Sequence, residues 1–349
     1  MDKSNHSEAL DALANNDEEL VIEVMRGDGE KSLEDKPEES AANKRVSKVL
    51  ENLKSESIPK QIKGFYKKHF KGRFLRILCV LILVTITGIL VYNGIINRNF
   101  CVTFYQIRSD KVSNNIRIVE LADLHNNKFG KKNSKLIDKI ASLHPDLIFY
   151  AGDMMNHHNS DYSVLFDLSD ELSKIAPIYA CYGNHEYDQY LFVDKEFRKK
   201  LEEHNVTVLS NEKADVVVGR TSFQLIAISD GPEQFDVETN TAKRFLEKLE
   251  PTNDCRICLT HYPELFFEKL QNRDIDIAFT GHAHGGLMRL PKIGGIYSNG
   301  EGFLPKLTSG VNKMDDGTQV VVSRGLGNSS IWPRINNQPE LVVTDICWY

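Results

Sequence analysis

Five short motifs of polar residues each follow an apolar run that is typical of a buried β-strand. In chain order the motifs are Asp123-Leu124-His125, Gly152-Asp153, Gly183-Asn184-His185-Glu186, His261 and Gly281-His282-Ala283-His284. The apolar runs before them are 116–122, 147–151, 178–182, 256–260 and 275–279. In the last motif, two imidazoles one residue apart, with a glycine on each side, can converge on a metal ion without backbone strain. Polar groups at five strand ends are hard to explain by packing, so they indicate a functional site.

The donor atoms in these motifs predict a site for two divalent metal ions. The candidate ligands are Asp123, His125, Asp153, Asn184, His261, His282 and His284. All are oxygen or nitrogen donors without a thiolate, which suits manganese, iron, zinc or cobalt better than a closed structural zinc site. Seven ligands are too many for one transition metal and about right for two that share a carboxylate. Two ions about 3.5–4 Å apart can clamp a phosphoryl group and lower the pKa of a bridging water.

The elements that must position these ligands alternate between strand-like and helix-like segments from residue 116 onward. Apolar residues at helical spacing predict helices near 136–143, 164–175, 196–204 and 241–249. Further strand-like runs follow at 206–209, 216–218, 223–228, 319–323 and 341–346. The pattern predicts an α/β fold in which two sheets pack together with helices outside. In open α/β sheets, sites lie at the strand ends, which is where the motifs occur.

An apolar segment at 74–96 precedes this domain and predicts a single membrane anchor. Its 23 residues would reach roughly 34 Å as a helix, which is enough to span a bilayer core. Seven basic residues and no acidic residue occupy 60–76, whereas Arg98 is the base that follows closely. The positive-inside rule therefore places the N-terminus in the cytoplasm and the domain after residue 97 outside the cell membrane. A buried core helix is the alternative interpretation of the segment.

The remaining parts of the chain are interpreted from composition and charge. Residues 1–59 carry 15 acidic and eight basic residues, so we predict a largely disordered cytoplasmic tail, with a docking segment for a partner as the alternative. The basic segment 60–73 is expected to contact anionic lipid headgroups. We expect 97–115 to connect the anchor to the domain at 116–349. The net charge of −6 over 349 residues does not indicate nucleic-acid binding.

The motifs Asp-x-His, Gly-Asp, Gly-Asn-His-Glu, His and Gly-His-x-His, in this order, resemble those of the calcineurin-like metallophosphoesterases. The resemblance covers about residues 114–349. The run 282–286, with 324–327 and 334–340, looks like the membrane-anchored bacterial branch, the YkuE-like phosphodiesterases. The resemblance implies a four-layer αββα sandwich of two mixed β-sheets flanked by helices, here preceded by one transmembrane helix. Many relatives carry an acid where this chain has Asn156.

The resemblance also implies roles for the site residues. Asp123, His125 and His284 would hold the first metal ion. Asn184, His261 and His282 would hold the second, and Asp153 would bridge the two. His185 would contact the phosphoryl oxygen or protonate the leaving group. Arg324 and Arg334 are candidate phosphate-binding residues, because the arginine fork matches phosphate oxygens; ordinary surface arginines are the alternative.

We therefore expect a membrane-anchored phosphoesterase that hydrolyses a phosphate ester or diphosphate with metal-bound hydroxide. The anchor favours a membrane-derived, lipid-linked substrate, because an enzyme held at the bilayer has a raised effective concentration there. One alternative is a phosphodiesterase acting on nucleotides or wall polymers. The other is a metal-binding receptor without turnover. The sequence does not indicate the oligomeric state.

The charge asymmetry around 74–96 generates a prediction about topology. Protease added to intact cells should cleave the chain beyond about residue 110 and leave the N-terminal tail intact, because basic flanks are retained in the cytoplasm. The fragments are identified with tags at each end of the chain, and permeabilised cells provide the control in which both parts are cleaved. Cleavage of the N-terminal tail alone in intact cells would mean that the orientation is reversed.

Overall fold

The computed structural model describes residues 75–156, 161–190, 194–235, 240–330 and 332–348. The predicted tail at 1–59 and the basic segment at 60–73 lie outside the described residues. From Val80 onward the described residues form one compact unit.

The predicted anchor is a continuous helix, α1, at Leu75–Ile96. It is long and apolar enough to cross a membrane, and none of its most apolar stretch is buried within the protein. The one buried side chain on α1 is Asn93, near the C-terminal end. A core helix would bury an apolar face, so the exposure of α1 argues against that alternative.

The first sheet has six strands in the order β1–β16–β2–β3–β4–β5. Their bounds are Cys101–Ser109 (β1), Ile116–Leu121 (β2), Leu147–Ala151 (β3), Ile178–Cys181 (β4), Val206–Val208 (β5) and Glu340–Trp348 (β16). Strands β2 to β5 are parallel, whereas β16 runs antiparallel to β2 and parallel to β1. The sheet is therefore mixed, and the last strand of the chain is inserted beside the first strand that carries a motif.

The second sheet also has six strands, in the order β14–β15–β9–β8–β7–β6. Their bounds are Glu212–Val218 (β6), Thr221–Ile228 (β7), Cys255–Thr260 (β8), Ile277–Thr280 (β9), Gly310–Lys313 (β14) and Gln319–Val322 (β15). Strands β7, β8, β9 and β15 are parallel, and the edge strands β6 and β14 are antiparallel to their neighbours. Two short hairpins, Arg289–Leu290 (β10) with Gly294–Gly295 (β11) and Tyr297–Ser298 (β12) with Gly302–Phe303 (β13), lie between β9 and β14.

The layers follow from which faces are buried. The α-helices after α1 are Ser134–Leu143 (α2), Ser163–Leu172 (α3), Asn184–Asp188 (α4), Phe197–Glu203 (α5), Pro232–Phe235 (α6) and Thr241–Glu247 (α7). Helices α2, α3 and α5 pack on the outer face of the first sheet, and α6 and α7 cover the second. Between the sheets lies an apolar layer in which the Phe149 and Phe279 rings meet edge to face, 5.2 Å apart. This architecture confirms the predicted αββα sandwich of two mixed sheets.

One predicted boundary differs from the structure. Residues 97–115, expected to be a connecting segment, contribute the nine-residue strand β1 to the edge of the first sheet. Most side chains of β1 are half-buried or exposed, so the strand lacks the clear alternation of apolar and polar residues that would have revealed it.

The packing between the sheets generates a stability prediction. Phe149→Ala should lower the free energy of unfolding by about 3–5 kcal/mol, because it opens a cavity where both sheets meet. Phe104→Ala on β1 is the matched control, since Phe104 is 56% exposed and should change stability little. Thermal unfolding of the detergent-solubilised protein provides the measurement. Equal loss in the two variants would mean that the layer around Phe149 does not hold the sheets together.

Candidate metal centre

The two sheets bring the motifs together at one edge of the sandwich. Three motifs follow β2, β3 and β4 of the first sheet, and two follow β8 and β9 of the second. The carboxyl ends of parallel strands meet at the same edge of a sheet, so ligands far apart in sequence come into contact. The ligand groups that these strand ends supply form three mutually close sets: Asp123, His125 and His284; Asp153, His261 and His282; and His125, Asp153 and His185.

The backbone at these positions is turned sharply. Positive φ angles occur at Asp123 (50°), His125 (48°), Asp153 (54°), His282 (62°) and His284 (46°). Residues other than glycine adopt this conformation at a cost of order 1–3 kcal/mol, and they do so most often at functional sites. The turns direct the side chains back over the strand ends, which places five of the seven predicted ligands.

The first predicted metal position is lined by Asp123, His125 and His284. His284 Nε2 lies 3.3 Å from His125 Nε2 and 3.3 Å from Asp123 Oδ1. His125 Nε2 lies 4.0 Å from the same carboxylate oxygen. All three residues are buried. Two ring nitrogens and a carboxylate oxygen facing one point form a suitable site for one divalent cation.

The second predicted position lies beside Asp153. His261 Nε2 is 3.2 Å from Asp153 Oδ2, and the His261 and His282 ring centroids are 4.9 Å apart. Asp153 Oδ2 is also 3.7 Å from His125 Nε2, so this carboxylate lies between the two positions. Asn184, at the start of α4, belongs to the same loop as His185. The arrangement matches two metal positions with Asp153 between them.

Unpaired buried atoms test whether a metal fits. Asp123 Oδ2, Asn184 Oδ1 and His261 Nε2 are buried and have no hydrogen-bond partner among the described residues. The Nδ1–H of His261 can donate to the Ala151 carbonyl oxygen at 2.8 Å, which leaves Nε2 as the ligand atom. Unpaired buried polar atoms are costly, and cations would satisfy all three. The residues present therefore fit divalent metal ions.

Burial and the two buried carboxylates shift the pKa values of the cluster in opposite directions. Burial raises the pKa of Asp123 to about 7. Burial lowers the pKa of His125 and of His282 to about 3. At His261 burial lowers the pKa, but the Asp153 and Asp123 carboxylates oppose it more strongly, and the pKa is raised to about 10. Metal binding would replace the proton on His261, so it is expected to release protons.

Glu186 holds the loop that carries Asp153. Its Oε2 accepts hydrogen bonds from the backbone N–H groups of Asp153 at 2.7 Å and Gly183 at 3.1 Å. Its Oε1 accepts from the Met155 N–H at 3.0 Å. Sequence reasoning gave Glu186 no role, although it directly follows His185 in the motif. The one available signal was its place within the motif Gly183-Asn184-His185-Glu186. Glu186 is thus a positioning residue for the site.

His185 lies at the edge of the cluster, 7% exposed. Its ring centroid is 4.7 Å from that of His125, and its Nε2 is 3.8 Å from Asp153 Oδ2. The backbone N–H of His185 donates to Asp153 Oδ1 at 3.0 Å. The side chain is thus close to both predicted metal positions, and like that of His282 it retains some solvent exposure, 9% against 14%.

The two candidate phosphate-binding arginines have different environments. Arg324 Nη2 donates to Glu340 Oε1 at 3.0 Å and lies 3.1 Å from Cys101 Sγ. Arg334 is buried, donates from Nε to the Gly327 carbonyl oxygen at 2.8 Å, and places Nη2 3.2 Å from His284 Nδ1. Arg334 Nη1 has no hydrogen-bond partner in the described part of the chain. Burial lowers the pKa of Arg334 to about 10, so its guanidinium stays charged at neutral pH.

A cavity of about 410 Å³ adjoins the cluster. It is lined by Asn97, His125, Asn126, Asn127, Leu326, Gly327, Asn328, Arg334 and Pro339. His125 and Arg334 belong to the metal-ligand cluster and its immediate surroundings, whereas Asn97 directly follows α1. The cavity therefore connects the cluster with the C-terminal end of the apolar helix.

Comparison with known proteins supports the chemistry of this cluster. The sequence profile of the calcineurin-like phosphoesterase family matches residues 116–286, which contain all seven predicted ligands. The phosphodiesterase YaeI of Escherichia coli is 27% identical, over 66% of this chain and 82% of that protein. UDP-2,3-diacylglucosamine pyrophosphatase LpxG of Chlamydia muridarum is 27% identical, over 65% of this chain and 82% of its own length. The uncharacterized metallophosphoesterase YkuE of Bacillus subtilis is 25% identical, over 65% and 77% of the two chains.

The family match, the order of the motifs and the buried cluster agree with one another. They exclude the interpretation of a metal-binding receptor without turnover, since the family and the relatives indicate a hydrolase that acts on phosphoester bonds. The chain carries a calcineurin-like metallophosphoesterase domain and has bacterial metallophosphoesterase homologues.

Proposed function

We propose that the protein is a membrane-anchored dinuclear-metal phosphoesterase whose substrate is a lipid-linked phosphate ester or diphosphate. The observation that carries this proposal is the cavity between the metal-ligand cluster and the end of α1. A substrate that remains in a bilayer could reach the cluster through this cavity, because its lining includes Asn97, the first residue after α1. One relative, LpxG of Chlamydia muridarum, is named as a pyrophosphatase of a diacylated sugar nucleotide.

The proposed metal ligands are the seven that the motifs supply. Asp123, His125 and His284 would hold one divalent ion. Asn184, His261 and His282 would hold the other, with Asp153 shared. When bound, the two ions would offset phosphoryl charge and lower the pKa of a bound water. Manganese, iron, zinc and cobalt all suit these donors.

Arg334 and His185 are proposed to act on the substrate directly. The spare Nη1 of Arg334, held in place by Gly327 and His284, would donate to a phosphoryl oxygen. Arg324 is paired with Glu340, so it would support the loop and contact the phosphate less readily than Arg334. His185 would protonate the departing oxygen, because its ring lies beside His125 and Asp153 while the motif assigns the metal-ligand role to its neighbour Asn184.

The proposed location is the cell membrane, with α1 as a single-pass anchor. The N-terminus would be cytoplasmic and the metallophosphoesterase domain extracytoplasmic, with 60–73 near anionic headgroups. Exposure of apolar side chains along all of α1 supports this location, since such a helix is unfavourable in water.

A second candidate is a phosphodiesterase on nucleotides or wall polymers. The name of YaeI as a phosphodiesterase favours it. The asparagines in the cavity, Asn97, Asn126, Asn127 and Asn328, would also suit a polar polymer.

A substrate panel distinguishes these functions. The full-length enzyme in mixed micelles should have a higher kcat/KM for a diacylated sugar diphosphate than for the same headgroup without acyl chains. Asp153→Asn should lower both rates by at least about 10²-fold and reduce bound metal, because it removes the shared carboxylate. Asp110→Asn, at an exposed position, is the matched control. Equal or greater efficiency on free nucleotides or on wall polymer would favour the second candidate.

The role of His185 generates a prediction that depends on the leaving group. His185→Gln should retain both metals and lose roughly 10²–10⁴-fold in rate on alkyl phosphate esters, which require a proton on the departing oxygen. Nitrophenyl esters should lose much less, because nitrophenolate leaves without protonation. His144→Gln, which is exposed on the first sheet's helical face, serves as the control.

Metal analysis accompanies the two rate measurements. Loss of a metal from the His185→Gln protein would show that His185 is itself a ligand. The distance of 3.8 Å between His185 Nε2 and Asp153 Oδ2 permits this. Equal losses on alkyl and nitrophenyl esters would make His185 an electrostatic group that does not transfer a proton.

A further inference from the structure

The two hairpins that follow the His282 and His284 turn expose large apolar side chains. Outside α1, ten large apolar residues are exposed in the described parts of the chain: Phe104, Val217, Leu290, Ile293, Tyr297, Phe303, Leu304, Val311, Trp332 and Trp348. Five of them lie within 290–304, and we call these five the hairpin surface. Phe303 is 79% exposed, Leu304 63% and Ile293 62%. Such a cluster is unfavourable in water and indicates an interaction site.

One edge of the hairpins is connected to the end of α1 through hydrogen bonds to the loop at Ile335 and Asn336. The Arg289 N–H donates to the Ile335 carbonyl oxygen at 3.0 Å, and Asn336 Nδ2 donates to the Arg289 carbonyl oxygen at 3.0 Å. The Asn336 N–H in turn donates to Asn93 Oδ1 on α1 at 2.7 Å. Asn97 Nδ2 donates to the Arg334 carbonyl oxygen at 2.9 Å, which gives the helix end a second connection to the same loop.

Another part of the hairpins lies against the metal-ligand cluster. Arg289 Nη1 donates to the carbonyl oxygen of Gly285, next to His284, at 2.8 Å. A Cβ placed on Gly300, in the β12–β13 turn, would lie 2.3 Å from Glu264 Oε1. That same Glu264 oxygen is 3.7 Å from His282 Nε2. The hairpins thus bridge the last turns of α1 and the ligands His282 and His284.

We propose that the hairpin surface docks into the interface of the bilayer that α1 crosses. This inference rests on the proposed anchoring of α1. Continuity supports a bilayer as the occupant, because a hydrogen-bonded path of three residues, Arg289, Asn336 and Asn93, joins the surface to the apolar helix. Exposed Lys292 and Lys306 next to the apolar side chains match anionic headgroups.

Trp332 strengthens the assignment of a bilayer as the occupant. It is 61% exposed and lies in the loop between Gly327 and Arg334, two residues before the carbonyl that Asn97 binds. Tryptophan is enriched where proteins meet the membrane–water interface. Docking at this surface would hold the part of the cavity lined by Asn97 near the lipid headgroups.

Tryptophan fluorescence provides a direct test. The chain has two tryptophans, Trp332 and Trp348, and replacing both with phenylalanine gives a background without tryptophan emission. In that background, Phe303→Trp reports on the hairpin surface. Val217→Trp is the matched control, because Val217 is 70% exposed. It lies near the end of β6, beside the start of β7, which is the edge of the sheet away from the metal ligands. The full-length proteins are placed in phosphatidylcholine–phosphatidylglycerol vesicles with brominated acyl chains. Bromine quenches nearby tryptophan emission. The Phe303→Trp protein should therefore lose about half or more of its emission, and the emission of the Val217→Trp protein should be unaffected.

The proposal is overturned if Phe303→Trp remains unquenched while the protein stays in carbonate-washed vesicles. It is also overturned if an added lysine-reactive bifunctional cross-linker captures the unquenched Phe303→Trp protein as a dimer, since the surface would then bind a second copy. Loss of the protein from the washed vesicles would indicate failure of the proposed anchoring, and in that case docking at the bilayer fails with it.

A functional readout separates docking from catalysis. The double variant Phe303→Ser/Leu304→Ser should hydrolyse a soluble nitrophenyl ester as fast as the wild type, since neither residue contacts the metal ligands. Its rate on a lipid-linked substrate in vesicles should fall by about tenfold, because the site would lose the raised effective concentration that docking at the bilayer gives it. Unchanged activity on the vesicle substrate would overturn the proposal. Failure of the wild type to hydrolyse the soluble ester would instead contradict the proposed function.

Discussion

The burial of the Asp153 carboxylate among imidazoles is the interaction on which the rest of the site depends. Asp153 Oδ2 lies 3.2 Å from His261 Nε2, 3.7 Å from His125 Nε2 and 3.8 Å from His185 Nε2. A buried carboxylate is costly unless cations or hydrogen-bond donors surround it. Here its Oδ1 accepts the His185 N–H, and the nearby imidazoles together hold the pKa of Asp153 well below its usual range.

The loop that supplies Asp153 is itself held by a second buried carboxylate. Glu186 accepts three backbone N–H groups, from Asp153, Met155 and Gly183. Burial and the nearby Asp153 raise the pKa of Glu186 to about 7. These bonds stabilise the left-handed turn at Asp153, whose φ of 54° an unsupported aspartate would adopt less readily. The strained backbone and the acidic support therefore act together to orient one ligand.

The metal-ligand cluster also lies close to the end of the apolar helix α1. The loop 332–337 carries Arg334 against His284 and also bonds Asn93 and Asn97. One short segment therefore contacts both the cluster and the end of α1. The helix end and the site cannot move apart without breaking these hydrogen bonds. The fold itself therefore keeps the cluster near the C-terminal end of α1.

The sequence alone was sufficient to predict the α/β fold with two sheets and to locate the five polar motifs at strand ends. The seven candidate ligands follow five strands, so local periodicity and residue type were enough to locate them. The apolar length of 74–96 likewise indicated a membrane-crossing helix, whose described part is Leu75–Ile96. The family resemblance then suggested how the ligands are grouped, and the clusters Asp123/His125/His284 and Asp153/His261/His282 are consistent with that grouping, whereas a third cluster joins His185 to His125 and Asp153.

Other features depend on contacts between distant segments, which local patterns do not encode. Strand β1 was missed because its pairing with β16 joins residues more than 200 positions apart and leaves most of its side chains partly exposed. The sequence treated Arg324 and Arg334 alike, and only the tertiary structure pairs Arg324 with Glu340 and leaves a donor free on Arg334. The role of Glu186 and the hairpin surface were also decided by tertiary structure. In each case the outcome depends on which backbone groups and apolar side chains remain unpaired after the sheets and loops have packed.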